Sequence, residues 1–442
     1  MTTKSYTRRD FGKLGLATAV GLAAPFVLTR RAFARDAKLV FWLQPNFNQA
    51  ADDLLIAQTL EYAKAQGLSE SDVQIEKIPG GEIAKRMAAA LEIGAPPDVT
   101  RVNDADLTSW GSGGHLLDVT SIVDEMKTQK GGINENVLPQ TVFDGATRAV
   151  PMGISPAAAH VRLDKFREAG YDALPDTWEG FIEAARKISQ PPFYAYGMAL
   201  GLTPADSLGD VMSVVAAYGG SLVDAQNRPS IQSDATIAAF TLINQMYNEF
   251  SIIPKGTVSW DNSGNNKAFM SGQIAYALNE TSIYSSMIVD KNEFLDATTL
   301  ELPPGGPAGR HITAYTNYYG VFKAAPNPEL AMGLVRHFMQ PDNYSKFVVG
   351  AGGRYLPIYP AQLEDPFWGE HPAYNGLRKA VTEGRSIVFP GRPSPALSEI
   401  VNRSLIVEAV QGMLVKGIEP ARAAENAQNA MLEVFQRHGE AV

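Results

Sequence analysis

The strongest restriction on the fold comes from an alternation of short apolar runs and helical patterns near the N-terminus. Residues 38–43 are rich in β-forming side chains, and residues 54–63 repeat apolar side chains at helical spacing. A second pair follows, with a strand predicted over 73–78 and a helix over 82–93. A third strand is predicted to begin within 96–102. Strands that alternate with helices indicate an α/β fold with a parallel, doubly wound sheet.

Three loops follow the predicted strands and start at Gln44, Pro79 and Asn103. In sheets of this kind, ligands bind beyond the carboxyl ends of the strands. We therefore expect a binding site near these loops. The second half of the chain is predicted to be rich in helices, and a length of 442 residues allows two or three domains.

Residues 1–34 have the anatomy of an export signal. A polar start with Arg8 and Arg9 precedes a weakly apolar run over 14–28, and small residues follow within 32–34. The apolar run is shorter than the roughly 20 residues that a membrane-spanning helix needs. The arginine pair and its surroundings resemble the twin-arginine translocation motif, whose pathway exports folded bacterial proteins. We expect the mature protein to be free in the periplasm.

The composition excludes several classes of function. A formal charge of −9 without a long basic run argues against nucleic acid and anionic membranes as partners. The chain has no Cys, which excludes disulfides, thiolate metal sites and cysteine nucleophiles. It also lacks the common motifs of hydrolases, nucleotide-binding loops and zinc sites, and its His residues are scattered. No catalytic residue, metal or cofactor is predicted.

Several short motifs occur in an order that is typical of one protein family. They include Gly94–Val99, Ala149–Gly153, Pro175–Phe181, Ala268–Tyr276 and Gly353–Pro357. With these motifs in this order, the chain resembles the extracellular solute-binding protein family 1. Its members are substrate-binding subunits of bacterial ABC importers for sugars and related compounds. The resemblance covers most of the chain after the signal.

The resemblance implies a two-lobed periplasmic binding protein fold of type II, hinged by three crossover segments. On that pattern the N-lobe takes residues 36–149 and 266–315, and the C-lobe takes residues 157–262 and 318–442. A ligand that touches both lobes favours their closure through its higher affinity for the closed form. The resemblance also implies a monomer that delivers a carbohydrate-type ligand to inner-membrane permease subunits.

Polar side chains at the predicted strand ends are candidates for contacts with sugar hydroxyls. The amides of Gln44 and Asn46 follow the first strand, and the carboxylate of Asp104 follows the third. Amides donate and accept hydrogen bonds, and a carboxylate accepts them, so both suit hydroxyl groups. Turn formation or helix capping explains the same residues, and both interpretations stay open.

Aromatic and amide side chains near the expected crossovers form a second group. Trp260 precedes one crossover, where it can stack on a sugar ring or pack in the core of a lobe. A tyrosine-rich run near the third crossover holds Tyr315, Asn317 and Tyr318, and we expect at least one of them to line the cleft. Asn279 joins the group because the resemblance places its segment near ligand.

Arg354 follows the glycine-rich run 350–353, whose backbone amides can approach a ligand closely. Its guanidinium could hold a carboxylate, phosphate or sulfonate by two parallel hydrogen bonds. In that case the ligand is an acidic sugar or a sugar phosphate. The alternative is a surface ion pair.

Two other functions stay open. Folding could assemble paired carboxylates, such as Asp104 and Glu280, into the site of a periplasmic glycosidase or lyase. The same architecture could also serve a receptor for chemotaxis. Turnover of a substrate separates an enzyme from a binding protein, and neighbouring genes for permeases and an ATPase favour uptake.

Overall fold

The computed structural model describes residues 37–46, 48–203 and 206–442. The predicted signal, residues 1–34, lies outside this range. None of the helices in the described part is both long and apolar enough to cross a membrane.

Strands and helices alternate through the first part of the described chain, and helices dominate its end. The strands are β1 (Leu39–Leu43), β2 (Val73–Lys77), β3 (Val99–Val102), β4 (Val142–Phe143), β5 (Ala146–Thr147), β6 (Val150–Pro156), β7 (Ala158–Arg162), β8 (Tyr194–Tyr196), β9 (Ile274–Asn279), β10 (Thr298–Glu301) and β11 (Ala314–Val321). The helices are α1 (Gln49–Ala65), α2 (Gly80–Glu92), α3 (Asp104–Ser112), α4 (Thr120–Lys127), α5 (Leu163–Glu168), α6 (Trp178–Ile188), α7 (Asp206–Ala217), α8 (Asp234–Asn244), α9 (Gly264–Met270), α10 (Ser282–Val289), α11 (Pro328–Met339), α12 (Pro341–Gly350), α13 (Pro366–Glu370), α14 (Arg378–Glu383), α15 (Pro395–Asn402), α16 (Leu405–Lys416) and α17 (Pro420–His438).

The first sheet has five strands in the order β2-β1-β3-β11-β6. β1 pairs in parallel with β2 and β3, as predicted, whereas β11 pairs antiparallel with β3 and β6. Side chains of β1 alternate between two cores, with Leu39, Phe41 and Leu43 in one and Val40 and Trp42 in the other. Helices α1, α11 and α12 cover the first face, and α2 and α3 cover the second. This coverage of both faces makes the sheet doubly wound.

The second sheet has four strands in the order β10-β7-β9-β8. β7 pairs antiparallel with β10 and β9, and β8 pairs in parallel with β9. Helices α6, α7, α8, α16 and α17 pack with this sheet in one large apolar core. Trp178 lies within that core, where its ring contacts Phe181 and Tyr196, so its role is structural.

Three chain segments connect the two sheets and lie side by side. They pass through Ala157, Thr313 and Arg385. The Ala157 N–H donates to the Thr313 carbonyl at 2.9 Å, and the Ala314 N–H donates to the Arg385 carbonyl at 3.0 Å. The Arg385 N–H donates to the Ile312 carbonyl at 2.9 Å. We call residues 157, 312–314 and 385 the crossover ribbon, because these segments connect the two lobes.

The predicted lobe boundaries are wrong in two places. Residues 266–315 are predicted for the N-lobe, but β9 and β10 pair with β7 in the second sheet. Residues 318–442 are predicted for the C-lobe, but β11 pairs with β3 and β6, and α11 and α12 pack on the first sheet. Strand pairing between distant segments decides membership of a sheet, and local sequence does not show it. By sheet and core, the first lobe holds residues 37–156 and 314–384, and the second holds residues 157–313 and 385–442.

Candidate functional site

A cavity of about 140 Å³ lies between the lobes beside the crossover ribbon, and we call it the cleft. One water molecule needs only about 10–15 Å³ measured in this way, so the cleft has room for a group of several atoms. Its lining comes from both lobes. The first lobe contributes Asn103, Asp104, Ala105, Tyr315, Thr316 and Asn317, and the second lobe contributes Ala157, Asp206, Leu208, Gly209, Asp210, Leu278, Asn279, Glu280 and much of the stretch 386–402.

Asp104 stands at the first-lobe side of the cleft, in the first turn of α3. Asn103 caps this helix by accepting a hydrogen bond from the Asp106 N–H, and this cap fixes the turn that carries Asp104. The Tyr318 hydroxyl donates to Asp104 Oδ1 at 3.2 Å, and Gln140 Nε2 donates to the Tyr318 oxygen at 2.7 Å. Burial raises the pKa of Asp104 to about 7, although the bond from Tyr318 opposes the rise.

Tyr315 and Asn317 reach the cleft from β11. Tyr315 is partly buried, and a β-carbon added at Gly209 in α7 would lie 3.1 Å from its hydroxyl oxygen. The Tyr315 ring therefore extends from the first lobe to the second. Asn317 is buried, and its Nδ2 donates to Ser155 Oγ at 3.1 Å.

The second lobe contributes Asp206 and Asp210 from α7 and Asn279 from the end of β9. Asn279 Nδ2 donates to Asp206 Oδ2 at 3.1 Å and lies 2.8 Å from Asn266 Oδ1. Burial, and after it the charge of Glu280, raises the pKa of Asp206 to about 7. Burial raises the pKa of Asp210 well above its ordinary value, and the Tyr196 hydroxyl donates to Asp210 at 2.5 Å.

Arg354 lies behind the cleft and is only 3% exposed. Its Nε donates to the Asn46 carbonyl at 3.2 Å, and its Nη1 donates to Ser155 Oγ at 3.4 Å. Its Nη2 donates to Glu280 Oε2 of the second lobe at 2.5 Å. The guanidinium thus donates hydrogen bonds to three groups of the protein.

Gln44 and Asn46 are buried, and neither lines the cleft. Gln44 Nε2 donates to the Arg101 carbonyl at 2.6 Å. Asn46 Oδ1 accepts from the Tyr355 hydroxyl at 2.6 Å, and its Nδ2 donates to Asp52 Oδ1 at 2.9 Å. These bonds hold the loop after β1, so the structure favours the turn-forming interpretation of both residues.

Trp260 lies outside the cleft, against the core of the second lobe. Its backbone lies so close to Gly201, and its side chain so close to Gly264, that a β-carbon at either glycine would crowd it. These two glycines leave the space that Trp260 fills. Packing in a lobe therefore accounts for Trp260, and it does not join the predicted cleft residues.

An apolar wall forms another part of the lining. It is carried mainly by the stretch 386–402, through Ile387, Val388, Leu397 and Val401. Ser398 Oγ in α15 donates to the Ala105 carbonyl in α3 at 2.9 Å, and this bond joins the lobes at one side of the cleft.

The structure brings four predicted residues together in the cleft, namely Asp104, Asn279, Tyr315 and Asn317. Tyr318 and Arg354 stand directly behind them as partners of Asp104 and Glu280. Sequence reasoning missed Asp206, Asp210 and the α15 wall. Asp206 could have been found as an acidic residue just before a run with a helical pattern, whereas nothing in the local sequence shows that α15 reaches the cleft.

The carboxylates of the cleft can accept hydrogen bonds, and its amides can both donate and accept them. Among the described residues, no group of His, Asp and Glu has an arrangement that could hold a metal ion. The pairing of polar groups with an apolar wall suits a ligand that has both hydroxyl or amino groups and a carbon skeleton.

Comparison with known proteins identifies the family of the chain. Residues 58–376 match the family described as "Bacterial extracellular solute-binding protein". A Deinococcus radiodurans protein named "Probable ABC transporter-binding protein" is 21% identical over 378 residues, which cover 81% of this chain and 87% of that protein.

Solved structures share the fold. A T. maritima protein with bound maltose superimposes with a TM-score of 0.78 and 19% identity, covering 90% of this chain and 100% of the other. A solute-binding protein from Agrobacterium radiobacter in complex with ribitol has a TM-score of 0.79 and 18% identity, covering 90% and 99%.

Proposed function

The chain belongs to the bacterial extracellular solute-binding proteins, and on this basis we propose that it is the substrate-binding subunit of an ABC importer for a carbohydrate or carbohydrate derivative. The observation that carries the proposal is the cleft, where carboxylates and amides face Tyr315 and an aliphatic wall. Sugars combine hydroxyls with apolar C–H faces, and such a lining matches both. Maltose and ribitol in the structural relatives support this class of ligand.

The proposed mechanism is capture by closure. A ligand in the cleft would meet Asp104 and Tyr315 of the first lobe together with Asp206 and Asn279 of the second. Because these contacts form together only when the lobes are closed, the ligand stabilises the closed form, and the crossover ribbon acts as the hinge. The closed form would then deliver the ligand to the permease subunits.

Calorimetric titration of the mature protein with a panel of neutral, cationic and anionic sugars and polyols tests the proposal. We expect saturable binding, and we expect Y315A to weaken it at least about tenfold because Tyr315 contacts both lobes at the cleft. Y171A removes a partly exposed tyrosine of the second lobe away from the cleft and is the control. Binding by no member of the panel would overturn the proposed function.

The same titrations separate binding from catalysis. A binding protein returns its ligand unchanged, so mass spectrometry of the recovered sugar should show no product. We propose that the protein is not an enzyme, in keeping with its family, and product release would overturn this point.

For localisation, we propose that residues 1–34 direct twin-arginine export to the periplasm. The family is extracellular by description, which supports export, and the Arg8–Arg9 pair supports this particular pathway. Replacing the pair by R8K and R9K together should keep the precursor in the cytoplasm. Unchanged export, seen by immunoblotting of cell fractions, would contradict the pathway.

A further inference from the structure

Four acidic groups share the cleft. Asp104, Asp206, Asp210 and Glu280 all line the cavity. After burial, the charges of these same four carboxylates raise the pKa of Tyr315, so all four act on one hydroxyl of the lining. Of the described residues, no Lys, Arg or His belongs to the lining.

Arg354, the cation behind the cleft, already has a partner within the protein. It is 3% exposed, and its Nη2 donates to Glu280 at 2.5 Å, so the two charges neutralise each other. A ligand carboxylate or phosphate could reach this guanidinium only by breaking the bond to Glu280. The sequence-based expectation of an acidic ligand held by Arg354 therefore has no support from the geometry.

Among the described residues, two carboxylates of the cleft have no Lys, Arg or His in direct contact. Asp104 accepts from the neutral Tyr318 hydroxyl at 3.2 Å, and Asp206 accepts from the neutral Asn279 amide at 3.1 Å. Burial raises the pKa of each to about 7, so near neutral pH each is only partly ionised. Asp210 already accepts hydrogen bonds from the Tyr196 hydroxyl and the Ala199 N–H, and burial raises its pKa well above the ordinary value.

The apolar part of the lining limits the kind of cation that fits. Leu278, Leu397 and Val401 present hydrocarbon to the cleft, which a bare metal ion would not use. An organic ligand can place an ammonium group among the carboxylates and its carbon skeleton against the wall. The charged hydrogen bonds that would form are stronger than bonds between neutral groups.

Resting on the proposed function, we propose that the ligand is an amino sugar or another aminated polyol, with its ammonium group bound between Asp206 of the second lobe and Asp104 of the first. The ammonium ion supplies the positive charge that the lining lacks. Because it bonds to both lobes, it also contributes directly to closure.

Matched compounds test the assignment. Calorimetry at pH 6.5 compares glucosamine, glucose and glucuronate, and the corresponding galactose series. We expect the amine to bind at least about tenfold more tightly than the parent sugar, and the uronate to bind most weakly. D206N should bring the affinities for the amine and the parent sugar together and so abolish the advantage of the amine, whereas D172N, an exposed carboxylate of the same lobe, should leave that advantage unchanged.

Proton release gives a second, independent readout. Titrations at the same pH in two buffers of different ionisation enthalpy report protons exchanged on binding. We expect the amine to release protons, because its charge favours ionised Asp104 and Asp206, and the parent sugar to release none. The charged and titratable groups that interact with Asp206 are Glu280, Arg354, Asp210 and Tyr315, and D206N should reduce the release.

The outcomes separate this inference from the function on which it rests. Equal or tighter binding of the parent sugar or the uronate, or proton release that is the same for amine and parent, overturns the inference and leaves a sugar-binding protein. Failure of every compound in this set and in the wider panel overturns both.

Discussion

At Arg354, one guanidinium reaches atoms of both lobes. Its bonds to the Asn46 carbonyl and Ser155 lie within the first lobe, and its bond to Glu280 joins the second. The sequence indicated an anion-binding position here, with a surface ion pair as the alternative, because a glycine-rich loop precedes it. The structure shows instead that the guanidinium pairs with Glu280 and links the two lobes. Local sequence cannot reveal this pairing, because residues 280 and 354 are far apart in the chain.

Replacing Arg354 with Ala would leave Glu280 without its partner in a mostly buried position. We expect R354A to lower the free energy of unfolding by about 3 kcal/mol, because removing one member of a buried ion pair strands the other charge. Urea denaturation followed by circular dichroism measures the change. R422A breaks an exposed pair with Glu425 and should stay within about 0.5 kcal/mol of the parent protein. Equal losses in both variants would contradict the role of Arg354.

Asp206 should make stability depend on pH. Its pKa is about 7 in the folded protein against an ordinary 3.8, so the folded state binds more protons between these values. Stability therefore falls as pH rises from about 4 to about 7, and the loss is complete above pH 7. D206N removes the titration and should gain ~1–2 kcal/mol at pH 8 relative to the parent protein, a figure reduced to allow for water in the cleft.

Denaturation in urea at pH 5 and pH 8 checks this expectation. The control D172N removes an exposed carboxylate and should keep the pH profile of the parent protein. A profile of D206N that is as steep as that of the control would show that Asp206 does not titrate in this range.

Among the elements, the opening strands and helices follow the sequence pattern closely. The helix predicted over 82–93 is α2, and the strands that flank it pair in parallel with β1. In two other places the elements differ from the sequence pattern, and tertiary structure determines them. The sequence predicts two short strands, at 312–316 and 319–323, but the structure has one strand, β11, with a bulge between Asn317 and Tyr318. The sequence also predicts one helix over 394–416, which the structure divides into α15 and α16 at Ser404, whose φ of 55° is left-handed.

Strand β6 presses closely on the segment that carries Arg354. A β-carbon added at Gly153 would lie 2.6 Å from the β-carbon of Tyr355, which cannot move without its backbone. We expect G153A to lower the free energy of unfolding by about 1–3 kcal/mol through overpacking, as measured by urea denaturation. G81A places a methyl group in open space on α2 and should be neutral or stabilising by up to about 1 kcal/mol. Similar effects of the two changes would contradict the close contact.

For the molecule as a whole, the sequence predicted the class of architecture but not the division of the chain. The order of motifs indicated a two-lobed fold, and the fold of the structural relatives agrees. The crossing predicted between 315 and 318 lies close to the observed one at Thr313. The crossing predicted between 262 and 266 is wrong and the one at Arg385 was not predicted, because sheet membership depends on pairing between distant strands. For the same reason, Asp104 could be predicted from its place after β3, whereas the contribution of α15 could not.

A covalent lock between the lobes should control binding. The chain has no Cys, so the double variant A105C/S398C would carry one possible intramolecular disulfide, placed where Ser398 Oγ contacts the Ala105 carbonyl. Oxidation without ligand should hold the cleft shut and slow association at least ~10-fold, and reduction should restore it. Stopped-flow binding of a sugar identified in the panel provides the measurement.

The single variant S398C serves as the control for the lock, because it cannot form the bridge. Oxidation after ligand addition should instead trap the ligand, which would then stay with the protein through gel filtration. Equal association rates for the oxidised and reduced double variant would contradict opening of the cleft as the step that admits the ligand.

The apolar wall of the cleft comes mainly from one continuous stretch, 386–402, whereas the carboxylates come from separate places in the chain. A change confined to that stretch would reshape the surface that meets the carbon skeleton of a ligand and leave the acidic groups where they are. Descendants of such a protein can thus diversify in what they transport by exchanging one short passage of sequence, without rebuilding either sheet.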